Sequence, residues 1–344
     1  MSKIIFKDFD EFADAINGLS GCFIPTAASE TDWWVQLLPI GRVAIQQVQI
    51  GGASTFAGDG TDNSITLGIP LATPRRIRID GTPLEDNSFI LIKEGQPFTF
   101  AARQSTRWAG ISVPVDHPSM APELLEALNV RAFRGRSSTA TQTDLLHVAR
   151  GRLLVSRLCA TDGSVGFLDE PAIREVEQEV VALTSRAIEA SSKRINTRIG
   201  RPRCSRSRVI AKALALILEH EGEALFVQDL CRATRVSERT LRNVFQEYFN
   251  VGPMRLLKVR QLREIRAALL AADGNTQKVA TIAASFGIWD FSSFTRNYKA
   301  LYGETPSATL HSPPTARTRR HAMSTSWIKL AKHRFVDAKD AELL

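Results

Sequence analysis

The sequence is poor in the groups that perform covalent or redox chemistry. Its 344 residues hold four cysteines, Cys22, Cys159, Cys204 and Cys231, far apart and with no CxxC among them. That spacing offers neither a disulfide framework nor a zinc site, and reads as reduced structural thiols. Histidine is as sparse, with six in the chain and none before His117. A metal centre in the N-terminal third would need two or three imidazoles beside a carboxylate, so that chemistry is not expected there. His117, followed by Pro118, is expected at the surface, and His147 and His220 on helix faces. GxSxG, Walker A and GxGxxG patterns are absent, so no catalytic site and no cofactor is signalled. Long apolar runs are missing as well. No window approaches the 18 or more apolar residues of a membrane span, and the opening MSKIIFKDFDEF lacks the blocks of a signal peptide. The expected location is the cytoplasm, with no membrane contact.

What is present is an ordinary folded composition, 44% hydrophobic and 23% charged, on a chain long enough for two domains and a linker. The charge is unevenly placed. Residues 191–344 hold 27 Lys and Arg against 13 Asp and Glu, a net of +14, whereas residues 1–190 hold 17 against 23, a net of −6. Such asymmetry suggests one half built for a polyanion and another half built for something else.

Short alternating segments fill the first third: 33–39, 42–50, 64–71, 75–79, 88–93, 97–102 and 107–115. Turn signals such as GDGTDN (58–63), DGTP (80–83) and KEGQP (93–97) separate them. This pattern predicts a β-barrel or sandwich over residues 1–120. Trp33, Trp34 and Trp108, with Arg76 and Arg78 on an alternating strand, are candidates for the aromatic walls and cationic anchors of a small-molecule pocket. The alternative is that these tryptophans only fill the core. Helices are expected at 122–128, 144–159 and 170–190, within a segment (121–190) that either covers the strands or pairs two chains. The basic, polar stretch 191–206 reads as a linker. Residues 207–311 read as an all-α domain and 312–344 as a loose tail with a short helix near 326–335. The fold class is thus α+β.

The all-α domain carries the most specific pattern. In VQDLCRATRVSERTLRNVFQEYF (227–249) a short apolar helix with Leu230 and Cys231 is followed by a break, and Ser237 opens a second helix. VATIAASFGIWDFSSFTRNYKALYG (279–303) repeats the plan, with Ile282 and Ala283 on the short helix, Gly287 at the turn and Asp290 as the cap. Small residues at 231 and 283 allow the two helices of each unit to cross closely, and glycine reaches positive φ at the turn. Residues 253–272 between the units read as one helix with proline in its first turn. Its twenty residues span roughly 30 Å at about 1.5 Å each, close to the roughly 34 Å between successive major grooves on one side of B-DNA.

Two such units at a set spacing resemble the DNA-binding domain of the AraC/XylS family of transcription regulators, over about 206–310. The resemblance is densest in IAASFGIWDFSSFTRNYKALYGETPS (282–307). The segments FNVGPMRLLKVRQLREIRAALL (249–270) and TPSATLH (305–311) resemble the ethanolamine-operon regulator branch. The resemblance implies a cupin-like N-terminal barrel that binds an effector or mediates homodimerisation, and activation through contact with RNA polymerase at double-stranded promoter DNA. It also implies base reading by Arg239, Arg242 and Asn243 in the first unit, and by Phe291, Ser292 and Arg296 in the second. Phosphate contacts are expected from Arg232, Ser237, Thr240 and Lys299. Three departures stand out: Arg235 where the first turn usually has glycine, Ile288 for a usual phenylalanine, and Phe291 where a polar residue is usual. Rival readings are an enzyme or repair protein carrying a DNA-binding appendage, and a ligand-free architectural DNA binder.

Overall fold

The computed structural model describes residues 3–6, 9–60, 63–71, 77–93, 97–120, 140–142, 145–160, 169–192, 206–220 and 223–312. Arg76, the expected helix at 122–128, most of the linker and the tail lie outside these residues. Contacts divide the chain into two units. The first takes in Met1–Ser20, Ser29–Gly52 and Ala57–Ile199; the second takes in Gly21–Ala28, Ala53–Phe56 and Gly200–Leu344.

The strands form two sheets rather than one closed barrel. They are β1 (Ile4–Phe6), β2 (Leu19–Ser29), β3 (Trp33–Ile40), β4 (Val43–Ile50), β5 (Gly52–Gly60), β6 (Ser64–Pro70), β7 (Ile77–Ile79), β8 (Thr82–Pro83), β9 (Ser88–Lys93), β10 (Pro97–Ala102), β11 (Thr106–Pro114) and β12 (Ala140–Gln142). The larger sheet runs β1-β3-β4-β11-β6-β9-β12 and the smaller β2-β5-β10-β7-β8. The expected strands are all found within a residue or two of their sequence bounds. Strands β1, β2, β5, β8 and β12 are additions, and β5 takes in the first three residues of GDGTDN, which read as a turn.

Alternation explains what each face of the larger sheet does. Leu38, Val43, Ile45, Leu67, Ile69, Ile111 and Val113 are buried in one cluster with Val148, Val155, Val180 and Ile188. The last four lie on the helices α2 (Leu145–Ala160) and α3 (Glu170–Ser192), which follow α1 (Phe9–Asp14). These two helices therefore cover the sheet. On the other face Gln46 is 2% exposed. Its side-chain amide grips the backbone of Asn17, donating to the carbonyl at 2.7 Å and accepting from the N–H at 3.0 Å. Gly110 faces it because a Cβ there would meet the Gln46 side chain at 2.9 Å.

His117 is buried, not at the surface as its proline neighbour suggested. Helix α3 brings Glu177 over the end of β11, and the Nε2–H of His117 donates to Glu177 Oε1 at 3.1 Å. Nδ1 accepts from the Ser119 N–H at 3.2 Å, which fixes this tautomer. The same carboxylate oxygen accepts from the Arg42 N–H at 2.7 Å. Gly41 turns at φ 56°, and a Cβ there would lie 2.3 Å from Glu177.

Beside its segments of β2 and β5, the second unit holds seven described helices: α4 (Arg206–Glu219), α5 (Val227–Thr234), α6 (Glu238–Phe249), α7 (Pro253–Ala271), α8 (Val279–Ser285), α9 (Phe291–Tyr302) and α10 (Pro306–Leu310). Helix α7 joins two separate cores. Leu256, Leu257 and Val259 pack with Leu214, Leu230, Leu241 and Phe245. Leu262, Ile265, Leu269 and the adjoining Ala272 pack with Ile282, Phe294 and Tyr298. At 19 residues α7 is about 28 Å long.

Three arginines along α7 are buried: Arg260, Arg263 and Arg266. Each is held by acceptors, as a buried guanidinium must be. Arg260 pairs with Glu264 at 2.6 Å and donates to the carbonyl of His220. Arg263 donates to the carbonyl of Phe23 at 3.0 Å. Arg266 reaches Glu304 at 3.5 Å and lies 4.2 Å over the ring of Tyr302. Arg260 and Arg266 thus tie α7 to the first and the second helix-turn-helix unit respectively.

Candidate nucleic-acid interface

The two helix pairs are built on the same plan. In the first, Leu230 is fully buried and Cys231 partly so, and the chain turns at Arg235, with φ 56° and ψ 37°. The arginine therefore does adopt the left-handed conformation expected of a glycine, at a cost of about 1–2 kcal/mol. Helix α5 starts with the Phe226 N–H donating to the Asp229 carboxylate at 2.8 Å. Helix α6 starts at Ser237, whose hydroxyl accepts from the Thr240 N–H at 3.3 Å. Asn250 ends it in the left-handed region, where asparagine is tolerated.

In the second pair, Ile282 and Ala283 are buried, Gly287 turns at φ 76°, and the Asp290 carboxylate accepts from the Ser293 N–H at 2.9 Å. Gly303 closes α9 at φ 72°. The caps and the inward residues correspond at a constant spacing: Ser237 with Asp290, Leu241 with Phe294, and Phe245 with Tyr298. The outward residues follow the same register. Arg239, Arg242, Asn243 and Gln246 share one exposed face of α6, and Ser292, Thr295, Arg296 and Lys299 share the matching face of α9. Spacings of three, one and three put each set on a single side of its helix.

Arg239 and Asn243 are thus exposed beside one another, and Ser292 and Arg296 occupy their counterparts. Arg242 lies along its helix, with its guanidinium 2.7 Å from Glu238. Phe291 is 39% exposed at the first turn of α9. Sequence reasoning missed Gln246 and Thr295, the counterpart of Arg242; aligning the two caps would have found them. Of the phosphate candidates, Arg232 is exposed and paired with Asp229, and the hydroxyls of Ser237 and Thr240 lie 3.0 Å apart at the cap. Lys299 is exposed in the last turn of α9. Burial raises the Cys231 thiol above its usual range, and the Glu238 carboxylate adds to this.

The described pocket candidates belong to the first unit. Trp33, Trp34 and Trp108 are all buried. Trp33 packs edge-on against Phe12 and donates to Ser29 Oγ at 2.8 Å. Trp34 lies under Lys3 at 4.4 Å and Arg107 at 5.3 Å. Strand register puts Trp33 and Trp108 on one face of the larger sheet and Trp34 on the other. Arg78 lies in the smaller sheet and donates to the Gly81 carbonyl at 2.6 Å.

Comparison with known proteins places residues 230–312 in a family described as "Helix-turn-helix domain". The chain is 28% identical over 99 residues to the XylDLEGF operon transcriptional activator of Pseudomonas putida, covering 29% of this chain and 31% of that protein. It is 29% identical over 132 residues to the probable thc operon regulatory protein of Rhodococcus erythropolis, covering 38% and 40%. The chain therefore matches well under half the length of these relatives. A solved structure, the AraC-like transcriptional activator CuxR, overlaps 74% of this chain and 85% of its own at 13% identity, with a TM-score of 0.33. Over its helix-turn-helix region this chain is thus similar to the corresponding part of these operon regulators.

Proposed function

We propose that the protein is a ligand-responsive transcription regulator, in the main an activator, which binds promoter DNA with two reading helices of a single chain. The observation that carries this reading is the shared register of α6 and α9. Each presents one polar face, each is capped at the same relative position, and both are held on one helix about 28 Å long. That length suits two adjacent major grooves, where a protein with one such unit needs a dimer.

In this reading Arg239, Arg242 and Asn243 meet base edges in one groove, and Phe291, Ser292 and Arg296 in the next. Arginine favours guanine O6 and N7, asparagine favours adenine, and phenylalanine packs on a thymine methyl. Arg232, Ser237, Thr240 and Lys299 face phosphates, and contact with RNA polymerase accounts for activation. The site of action is where promoter DNA lies, the cytoplasm. The β-rich unit senses a small effector or pairs two chains. Trp108 supports the sensor role: its Nε1–H is buried with no hydrogen-bond partner among the described residues, a donor available to a ligand.

An enzyme with a DNA-binding appendage would need a reactive cysteine or a metal constellation. In Cys159 and Cys231, the two cysteines whose side chains are described, burial raises the thiol, which disfavours the thiolate. A purely architectural binder would not respond to any small molecule, whereas an effector shifts thermal stability or operator affinity.

Selection of bound sequences from random duplex DNA by the purified chain tests the proposal. An asymmetric site with two conserved blocks is expected, with binding that weakens steeply as salt rises. Arg242→Ala is expected to relax preference at one base pair of the first block, at a cost of about 1–3 kcal/mol. Uniform weakening on all sequences would instead make Arg242 a phosphate contact.

A further inference from the structure

The two turns differ in one respect. The left-handed residue and the apolar residue after it correspond, Arg235–Val236 with Gly287–Ile288, but the caps do not follow at the same distance. Ser237 comes immediately after Val236, whereas one additional residue, Trp289, stands between Ile288 and Asp290. Trp289 is 79% exposed, the largest exposure among the large hydrophobic residues described. Its backbone is fixed on both sides, by the buried Ile288 side chain and by the Asp290 carboxylate at the helix cap. An indole left in solvent is unusual, since tryptophan is among the most buried residues on average.

We infer that Trp289, together with Phe291, forms an apolar edge of the second reading helix that packs on thymine methyl groups in the major groove. This rests on the DNA-binding reading above and names the bases that the second unit selects. Three features favour duplex DNA as the occupant. Phe291 lies one helical turn before Thr295, beside the face carrying Ser292, Thr295 and Arg296. The cations Arg296 and Lys299 on that face supply charge complementary to the duplex. The acidic Asp290 between the two rings opposes close approach of a phosphate at this point, which leaves the groove floor. There the thymine C5-methyl is the apolar group that base edges present. The first unit, with Glu238 in the position of Phe291 and no inserted residue, has no such edge. The two heads therefore read by different chemistry, hydrogen bonding in the first and methyl packing in the second.

The test uses the full chain and the duplex obtained by selection, with the first half-site located by the base pair that Arg242→Ala relaxes. Deoxyuridine then replaces thymidine in the other half, removing only the methyl groups. The unsubstituted protein is expected to lose about fourfold in affinity per methyl it contacts, the equivalent of about 0.8 kcal/mol for one buried carbon. Trp289→Ala is expected to lose about tenfold on the thymidine duplex and to respond to the replacement only through Phe291, less than the parent does, while Trp289→Phe keeps more of the discrimination. Melting temperature, unchanged in both variants, separates this result from misfolding. The inference is overturned if Trp289→Ala binds as the parent does, as a protein-docking residue would. It is equally overturned if that variant keeps the parent's discrimination against deoxyuridine, or if the second block contains no thymine. Failure of the parent chain to select any sequence is a different outcome, which removes the DNA-binding reading itself and this inference with it.

Discussion

Insertion of one alanine between Arg260 and Gln261 is expected to abolish specific DNA binding while both helix-turn-helix units stay folded. The insertion point is where α7 passes from one core to the other. Val259 and Arg260 belong to the first, with Arg260 reaching the carbonyl of His220. Gln261 donates to the carbonyl of Phe286 at 2.8 Å, on the second. Alanine continues the helix, so the change adds about 1.5 Å and turns the second head about 100° around the rod. The Arg260–Glu264 pair spans the insertion and is lost with it. Two heads that met one side of the duplex no longer do so together. Affinity for the selected site should fall at least about 10³-fold, to the level of non-specific binding. Competition binding against unrelated DNA measures this, with circular dichroism to show that helix content is kept. Affinity within threefold of the parent would mean that one head does the reading alone.

The rod and both pairs were legible in the sequence because their signals are local. Proline in the first turn, apolar residues on one stripe, and Ser237 and Asp290 before the second helices each follow from backbone chemistry within four residues. The left-handed Arg235 was legible too, since the repeat marks where the turn must fall. Other features depend on partners distant in the chain. Strand β5, GASTFAGDG, has little apolar content of its own and owes its burial to neighbouring strands. His117 is buried because Glu177 arrives sixty residues later. The burial of the α7 arginines likewise depends on carbonyl and carboxylate acceptors, several of them distant in the chain. Trp289 went unnoticed because the motif fixes the turn and the inward residues, and the extra residue emerges only when both caps are located. Thr295 escaped for the same reason.

Tyr298→Ala should be the most damaging single substitution in the second head. Tyr298 is 0% exposed, and its ring packs against Phe294 at 5.7 Å and Tyr302 at 4.7 Å between centroids. Its hydroxyl lies 2.8 Å from Thr309 Oγ1, which in turn lies 2.8 Å from Glu304 Oε1. A carboxylate only accepts, so Thr309 donates to Glu304 and Tyr298 donates to Thr309. Arg266 completes the chain from α7. Removing the ring leaves a cavity and costs about 3–5 kcal/mol. Tyr298→Phe keeps the packing, removes one donor and costs about 1 kcal/mol. Urea unfolding of the full chain distinguishes the two. Equal losses would place the stability of this head in the hydrogen-bond chain rather than in the packed rings.

The central claim is that one rod presents two reading helices to the same side of a duplex, and a hydroxyl-radical footprint of the full chain on its selected site tests it most directly. Two protected patches on one face, with centres about 10–10.5 base pairs apart, are expected. A single patch, or two patches about half a turn apart on opposite faces, would contradict it.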